Sequence, residues 1–369
     1  MPKQNDPDPL ADAMAALNKK FGAGSVYQFG AFTPPPIEAI STGSLGLDAA
    51  IGIGGIPRGR VTEIYGPFAS GKTTLALEII ANAQKQGLVA AMVDAEHALD
   101  PGYAKALGVD MDAVIFSQPG SGEEALETVD MLTQTGGIGV IAIDSVAALV
   151  PQAELDGEMG KAQIGLQARL MSHALRKLTA HVSESKTACV FINQLREKVG
   201  FVLGNPETTT GGRALPFYAS VRLDARGTAT LKDGGDVIGR RTRVKVVKNK
   251  VGSPYRQAEF DILFGQGINR AGELLDLGQA CGVIRKAGTR YYYGEQALGN
   301  GREAARNALR AEPALAQEAE AAILKIGLNG LLRPSGASSE DESPGLRIPE
   351  PRNLSAPDMT VAPDSPDSV

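Results

Sequence analysis

Apolar positions along this chain change their period several times, and each change marks an element. Leu10, Met14, Leu17 and Phe21 recur at helical spacing on one face, and Gly22 ends the run. Pro34-Pro35-Pro36 then breaks the chain, so residues 1–36 read as a helix and linker forming an arm outside the core. The apolar stripe of that helix has two possible homes, its own domain or another subunit. Short apolar runs follow at residues 61–65, 88–93, 113–116, 140–143 and 188–192, with helical patterns at 75–86, 123–133 and 164–182. This alternation predicts an α/β fold whose central sheet is mostly parallel and covered by helices. Three more strand-like runs, 219–224, 242–247 and 259–264, are joined by short turns and are expected to extend one side as antiparallel strands. The core is thereby placed at 37–269. Residues 270–333 read as a small α/β C-terminal domain, with a helix at 272–281, the strand Tyr291-Tyr292-Tyr293 and alanine-rich helices beyond. Residues 334–369 have seven prolines and no period, and are expected to form a disordered tail.

The 61–65 run leads into Gly66-Pro67-Phe68-Ala69-Ser70-Gly71-Lys72-Thr73, a complete G-x-x-x-x-G-K-T phosphate loop, and a helical run begins after it. Strand, loop and helix in that order are the context such a loop requires. The glycines let successive backbone N–H groups face one centre, and the helix start adds its positive dipole end. Lys72 is expected to reach the β and γ phosphates, and the Thr73 hydroxyl to coordinate Mg²⁺. A nucleoside triphosphate is the expected ligand. Ile141-Ala142-Ile143 ends in Asp144, the acid that sits beside the metal ion in such sites. Glu96 follows the 88–93 run and has two readings, a general base for the attacking water or a surface acid after a strand. Asn193-Gln194 ends the 188–192 run, where a neutral amide can sense the γ-phosphate or simply cap the strand.

Glycine-rich segments accompany these strands. Residues 195–212 hold Arg196, Lys198, four glycines and Thr208-Thr209-Thr210, and residues 154–165 hold Gly157, Gly160 and Gly165. Long loops without a period point to function. Flexible basic loops beside an ATP sensor suit a polyanion whose binding is coupled to nucleotide; a substrate-covering lid is the competing explanation. Residues 240–250 carry six cations and no acid. They form a solvated basic edge, or they present cations to a neighbouring subunit or to nucleic acid.

Composition narrows the setting. A chain of 369 residues exceeds one compact core. No run is long and apolar enough to span a bilayer, no basic-then-apolar leader opens the chain, and a cytoplasmic protein is expected. Cys189 and Cys281 lie far apart, which excludes a disulfide framework, and three histidines with two cysteines offer no zinc-like spacing. The net charge of −5 resides in residues 334–369, where seven acidic residues outnumber two basic ones. The body is balanced, so the acidic total does not argue against nucleic acid.

Together these residues resemble the bacterial RecA recombinase family. The likeness is carried by the phosphate loop through Leu75, by Asp94-Ala95-Glu96-His97-Ala98-Leu99-Asp100 and by Ile143-Asp144-Ser145-Val146-Ala147-Ala148-Leu149. Phe191-Ile192-Asn193-Gln194 and Gly204-Asn205-Pro206-Glu207-Thr208-Thr209-Thr210-Gly211-Gly212 add to it. The last stretch is absent from general ATPases. The resemblance implies a RecA-like P-loop NTPase core with a mostly parallel central sheet, an N-terminal helical arm for oligomerisation and a small α/β C-terminal domain. It implies a DNA-dependent ATPase using ATP and Mg²⁺ that forms helical filaments of itself on single-stranded DNA. It further implies pairing with homologous double-stranded DNA, strand exchange, and stimulation of LexA-type repressor self-cleavage in the SOS response, with no role for a membrane.

The same resemblance assigns residues. Glu96 becomes the general base, with Lys72, Asp144 and the switch Gln194, while Lys248 and Lys250 reach the neighbour's ATP. Gly66, Pro67, Phe68, Ala69, Ser70, Gly71, Lys72, Thr73 and Thr74 hold the nucleotide, Asp100 and Tyr103 contact adenine, and Thr73 and Asp144 hold the metal. DNA contacts fall to Gly157, Ile164, Gly165, Arg169, Arg176, Arg196, Lys198, Val199, Gly211, Gly212 and Arg213. Phe217 resembles a subunit-interface anchor, and Lys286 and Arg302 stand as duplex contacts. The chain also departs from the family. Phe68-Ala69 stand where Glu-Ser is usual, and nucleotide binding is expected to survive because the backbone does the binding there. Glu197 replaces an apolar residue and is expected to weaken DNA binding or shift its salt dependence, with Arg213 offsetting it. Pro216 stands where lysine is common, which bears on filament cooperativity. Three rival classes remain on the residues alone. A ring-forming helicase motor lacks the 205–212 stretch, a small-molecule kinase needs no DNA to turn over ATP, and a non-catalytic DNA-binding module leaves Lys72 with Asp144 unexplained.

Overall fold

A computed structural model describes residues 8–28, 30, 36–158, 165–197 and 207–326. In chain order the first elements are α1 (Pro9–Phe21), β1 (Ala39–Ile40), α2 (Leu45–Ile51), β2 (Ile56–Pro57), β3 (Val61–Gly66), α3 (Lys72–Lys85), β4 (Val89–Asp94), α4 (Pro101–Ala106) and β5 (Ile115–Ser117). Next come α5 (Gly122–Gln134), β6 (Ile138–Asp144), α6 (Gln152–Leu155), α7 (Leu166–Ser185), β7 (Ala188–Glu197), β8 (Glu207–Thr209) and α8 (Ala214–Tyr218). The long strands β9 (Val221–Asp233) and β10 (Asp236–Asn249) are followed by β11 (Gln257–Leu263) and β12 (Gly267–Ile268). The last segment holds α9 (Arg270–Ala280), β13 (Ile284–Ala287), β14 (Arg290–Tyr293), β15 (Gln296–Asn300), α10 (Arg302–Ala311) and α11 (Pro313–Ile326).

The large sheet runs in the order β12-β11-β10-β9-β3-β7-β6-β4-β5, with β8 attached to β7. From β9 to β5 neighbouring strands are parallel, so their carboxyl ends converge on one edge. Alternate side chains of one strand feed opposite faces, as the pleat requires. On β7, Val190 and Ile192 join the core that contains Leu75, Ile79 and Ile80 of α3. Cys189 and Phe191 face the other core, with Val129 of α5 and Leu175 and Val182 of α7. Each such side chain contributes about 1.5–3 kcal/mol by leaving water. Burial pushes the Cys189 thiol up to about 12 and leaves it a small hydrophobe.

Several expectations shift. β9 pairs parallel with β3, not antiparallel; on this side the antiparallel pairing begins between β9 and β10 and continues through β11 and β12. β9 and β10 run well beyond the expected 219–224 and 242–247, and Gly234-Gly235, both at positive φ, make their turn. The outer half of β9 is mostly polar and exposed, and that of β10 runs from exposed Asp236 and Val237 to buried Gly239 and half-buried Arg240 and Arg241, so no simple period marks either in the sequence. β5 begins at Ile115, later than expected, and α2, α4, β13 and β15 had no expected counterpart. The start of α7 falls at Leu166, and Ile164 lies outside the described residues. The tail at 334–369 also lies outside them. Among the described residues, no helix is long and apolar enough to cross a membrane.

Candidate nucleotide site and nucleic-acid surface

β3 is buried along its whole length and ends at Gly66, and α3 starts six residues later at Lys72. Two glycines between them are sterically required. A Cβ on Gly66 would stand 2.0 Å from the Ala225 carbonyl oxygen, and one on Gly71 would stand 2.3 Å from Ile262 Cδ1. Gly71 also sits at φ 88°, a conformation that disfavours any side chain. Ala69 adopts φ 54° without that freedom, a strained turn of the sort that accompanies ligand sites. Arg240 donates through Nη1 to the Ala69 carbonyl at 3.1 Å, tying the loop to β10. Lys72 donates through Nζ to the Pro67 carbonyl at 2.8 Å. Burial lowers the pKa of this ammonium, while Asp144 and Glu96 oppose the shift.

The acids come from the neighbouring strands. β4 and β6 end in register, Asp94 beside Asp144. Thr73 donates through Oγ1 to Asp144 Oδ2 at 2.7 Å. Burial pushes the Asp144 carboxyl up to about 6; Thr73 and Lys72 pull it down, and the nearby Glu96 and Asp94 charges add to the rise. A buried carboxylate crowded by two others and paired with a hydroxyl is an oxygen donor set that suits a hard divalent cation. Glu96 accepts from Ser145 Oγ and, at 2.8 Å, from Gln194 Nε2. Lys72, Thr73, Glu96, Asp144 and Gln194 line one cavity of about 260 Å³ with the loop residues 68–71. Asp100 and Tyr103 do not line it. Asp100 caps α4, accepting from the Gly102 and Tyr103 N–H groups, and the Tyr103 hydroxyl meets Thr74 Oγ1 at 2.8 Å.

The residues expected to meet DNA lie on and around α7 and the β7–β8 pair. Met171, Leu175, Leu178 and Val182 of α7 are buried, while Arg169 and Arg176, two turns apart, stay exposed. Arg196 is exposed near the end of β7, opposite Thr208 of β8. Gly211 and Gly212, both at positive φ, close the return; a Cβ on Gly212 would press on Ala168 at 2.8 Å. Arg213 is exposed beyond them, and Gly157 and Gly165 flank the segment 159–164. Ile164, Lys198 and Val199 lie outside the described residues.

Lys248 and Lys250 are not brought to the Lys72 cavity. Lys248 donates through Nζ to the Pro216 and Phe217 carbonyls at 2.7 and 2.9 Å. Burial, then Lys250 and Arg222, hold its pKa below the usual lysine value, against Glu63. Phe217 projects with 73% of its surface exposed. The basic run on β10 is less free than its charge count implies. Arg241 pairs with Asp261 and Arg243 with Glu259, both on β11. Arg302 pairs with Asp276 and Asp261, which makes it a junction residue instead of a free duplex contact. Lys286 lies over the Tyr291 ring at 5.3 Å, and its neighbour Arg285 over Tyr292 at 4.5 Å.

Three residues of this site had no role in the sequence reading, although Ser145 stood within the 143–149 motif. Ser145 holds Glu96, and its position next to Asp144 was the available signal. Arg226 grips Glu207 of β8 with two nitrogens and Asp224 with a third contact. Glu63 binds Asn193 and Arg222 from the middle of β3. Neither of these last two falls in a motif.

A phosphate loop at the carboxyl edge of a mostly parallel sheet, with an acid on each of two neighbouring strands, defines a P-loop ATPase. Family models narrow the class. The RecA N-terminal domain matches residues 8–269, and the RecA C-terminal domain matches 272–326. The chain is 61% identical to protein RecA of Streptomyces venezuelae over 332 residues, covering 90% of this chain and 87% of that protein. It is 56% identical to protein RecA of Streptomyces rimosus over 359 residues, covering 94% and 95%. It is 59% identical to protein RecA of Kineococcus radiotolerans over 334 residues, covering 90% and 96%. The chain belongs to the RecA family. It is a recombinase and a DNA-dependent ATPase; it binds ATP and DNA and forms filaments.

Proposed function

We propose that Glu96 is the base of this ATPase and that Gln194 reports the state of the nucleotide to the DNA loop. One observation carries the reading: the Gln194 side chain donates to Glu96 at 2.8 Å, while its carbonyl accepts from Thr210 Oγ1 at 3.4 Å. A single residue thus touches the acid in the cavity and the returning strand of the glycine-rich loop. Loop N–H groups and Lys72 bind the triphosphate oxygens. Thr73 and Asp144 would hold Mg²⁺, which neutralises charge developing on those oxygens. Glu96 takes a proton from the attacking water. The Gln194 amide leaves Glu96 for the γ-phosphate when ATP is present, freeing the base and reordering the loop. Asp100 and Tyr103 lie beyond the α3 start, on the adenine side.

Residues 154–165 and 195–212, with Arg169, Arg176, Arg196 and Arg213, track the backbone of single-stranded DNA, leaving sequence to base pairing. Lys248 and Lys250 act on the neighbouring protomer's ATP, which agrees with their distance from the cavity of their own chain. The 270–333 segment meets double-stranded DNA through Lys286 and the adjacent Arg285. Residues 1–36 dock on an adjacent protomer. The filament promotes self-cleavage of a LexA-type repressor, in the cytoplasm. ATP turnover measured with and without single-stranded DNA, in the parent and in Gln194→Ala, tests the central claim. Stimulation by DNA is expected to vanish in the variant while nucleotide binding persists; undiminished stimulation would reject it.

A further inference from the structure

β3 runs through the middle of the sheet, and it carries a carboxylate with no task in the chemistry above. Glu63 is 0% exposed. Its Oε1 accepts from Asn193 Nδ2 of β7 at 2.9 Å, and its Oε2 from Arg222 Nε of β9 at 2.5 Å. A buried ion pair of this kind adds little stability over well-packed apolar residues. Its value must lie in what the two partners reach.

On one side is the nucleotide. Asn193 Oδ1 accepts from the Gln194 N–H at 2.9 Å, and its Nδ2 also donates to the Thr210 carbonyl at 3.0 Å. The next side chain, Gln194, lies on Glu96. On the other side is the surface that bears Phe217. Arg222 stacks on Tyr65 at 4.7 Å and stands opposite Lys248 in the β9–β10 ladder. Lys248 in turn holds the Pro216 and Phe217 carbonyls.

We propose that Glu63 is a positioning residue that couples nucleotide sensing at Gln194 to both the base of the DNA loop at Thr210 and the Lys248–Phe217 surface. The proposal deepens the reading of Gln194 as sensor and rests on it. Both ends of the Asn193 amide are committed, one to Gln194 and the other to Thr210 and Glu63. The Asn193 amide grips Gln194 by its backbone N–H, so a move of Gln194 toward a γ-phosphate that carries its main chain along displaces a rigid amide whose far end is anchored on Glu63. The carboxylate transfers that displacement to Arg222 instead of letting Asn193 relax alone. Such coupling needs a contiguous set of groups with two arrangements, and the chain from Glu96 to Lys248 supplies the groups.

Glu63→Gln is the informative change. Asn193 and Arg222 each donate to a separate oxygen of Glu63, and an amide replaces one of those oxygens with an NH₂ donor, so in this arrangement one of the two donors faces a donor and loses its acceptor. Asn193 cannot turn to meet the NH₂ without abandoning Gln194 and Thr210. The experiment uses the full chain and a labelled single-stranded oligonucleotide, titrated with and without a non-hydrolysable ATP analogue. Analogue affinity without DNA and the melting temperature are measured alongside. The analogue's tightening of DNA binding is expected to fall at least about fivefold in Glu63→Gln, with an equal fall in DNA's tightening of the analogue. Analogue affinity without DNA should stay near the parent value. A lower melting temperature with full coupling would show a merely structural ion pair and overturn the proposal. Gln194→Ala separates the two readings. If it loses coupling and Glu63→Gln keeps it, only the Glu63 assignment falls; if both keep it, the sensor falls as well. Should Glu63→Gln not fold, Glu63→Gln with Arg222→Met removes the orphaned guanidinium, and the same loss of coupling is expected. Retained coupling there also overturns the proposal.

Discussion

At the scale of residues, the cavity sets opposite demands on its two carboxylates. Asp144 is buried and bound by Thr73, and its carboxyl is pushed up to about 6, so it is suited to a cation. Glu96 meets only neutral donors, Ser145 and Gln194, and is suited to exchange a proton with water. Glu96→Gln is therefore expected to keep ATP binding and filaments while slowing turnover by roughly 10²–10⁴-fold; single-turnover hydrolysis on DNA measures it, and parental rates would reject the base. Phe68 is a contrasting case. Its side chain is 95% exposed while the loop backbone forms the cradle. Phe68→Ser should leave nucleotide affinity within about threefold, as for other surface changes; a larger loss in a nucleotide titration would give the ring a role. Lys72, Thr73 and Asp144 were legible because loop and strand ends are written contiguously. Glu63 and Arg226 were not, since Glu63 meets Asn193 and Arg222 on neighbouring strands and Arg226 reaches Glu207 of β8 besides Asp224 of its own strand. Arg302, Arg241 and Arg243 showed their charge in the sequence but not the acids that neutralise it.

At the scale of elements, the parallel strands of the core were legible from their apolar runs. The β9–β10 hairpin was not, because the outer half of β9 is mostly polar and exposed and the outer half of β10 follows no apolar alternation. The junction between α2 and α9 was hidden for a different reason: its chemistry is polar yet buried. Glu273 of α9 accepts from Ser44 Oγ and from the Leu45 and Gly46 N–H groups at the start of α2. Burial outweighs these bonds and pushes its carboxyl up to about 7. Asp48 of α2, bound by Ser41 and Thr42, is likewise pushed up to about 6 by burial. Arg270 lowers both, and itself binds the Gly43 carbonyl and Glu320. A carboxyl whose folded pKa exceeds its unfolded value binds its proton more tightly when folded. The stabilisation is complete below the unfolded pKa, near 4, and is lost as pH rises through 6 to 7. The melting temperature is thus expected to fall between pH 5 and pH 8, by about 2–4 °C for each kcal/mol lost. Glu273→Gln should flatten the upper part of that profile. An unchanged slope in the variant would remove Glu273 from the account.

At the scale of the molecule, the apolar and basic surfaces left open form a pattern that a monomer does not use. No residue of α1 is buried, and Leu10 and Phe21 of its apolar stripe are exposed, as is Phe217. Lys250 is exposed, and neither it nor Lys248 lines the cavity that holds Lys72. In a head-to-tail filament one surface of each protomer meets a different surface of the next, so a site can take groups from two chains. The proposed division is Lys72, Asp144 and Glu96 from one chain and Lys248 and Lys250 from its neighbour. Trans-acting cations of this type are worth roughly 10³–10⁵ in rate. Glu96→Gln lacks the base but keeps both lysines. Lys248→Ala with Lys250→Ala keeps the base but lacks the cations. Each protein alone should be nearly inactive on single-stranded DNA. In an equal mixture about one site in four joins an intact base to intact lysines, because the two halves assort independently along a heterologous interface. Hydrolysis should then recover to about a quarter of the parental rate, and dilution with more of either variant should lower it again. Activity equal to the sum of the separate proteins, in filaments shown by mixed labels to contain both, would place the lysines in the service of their own chain.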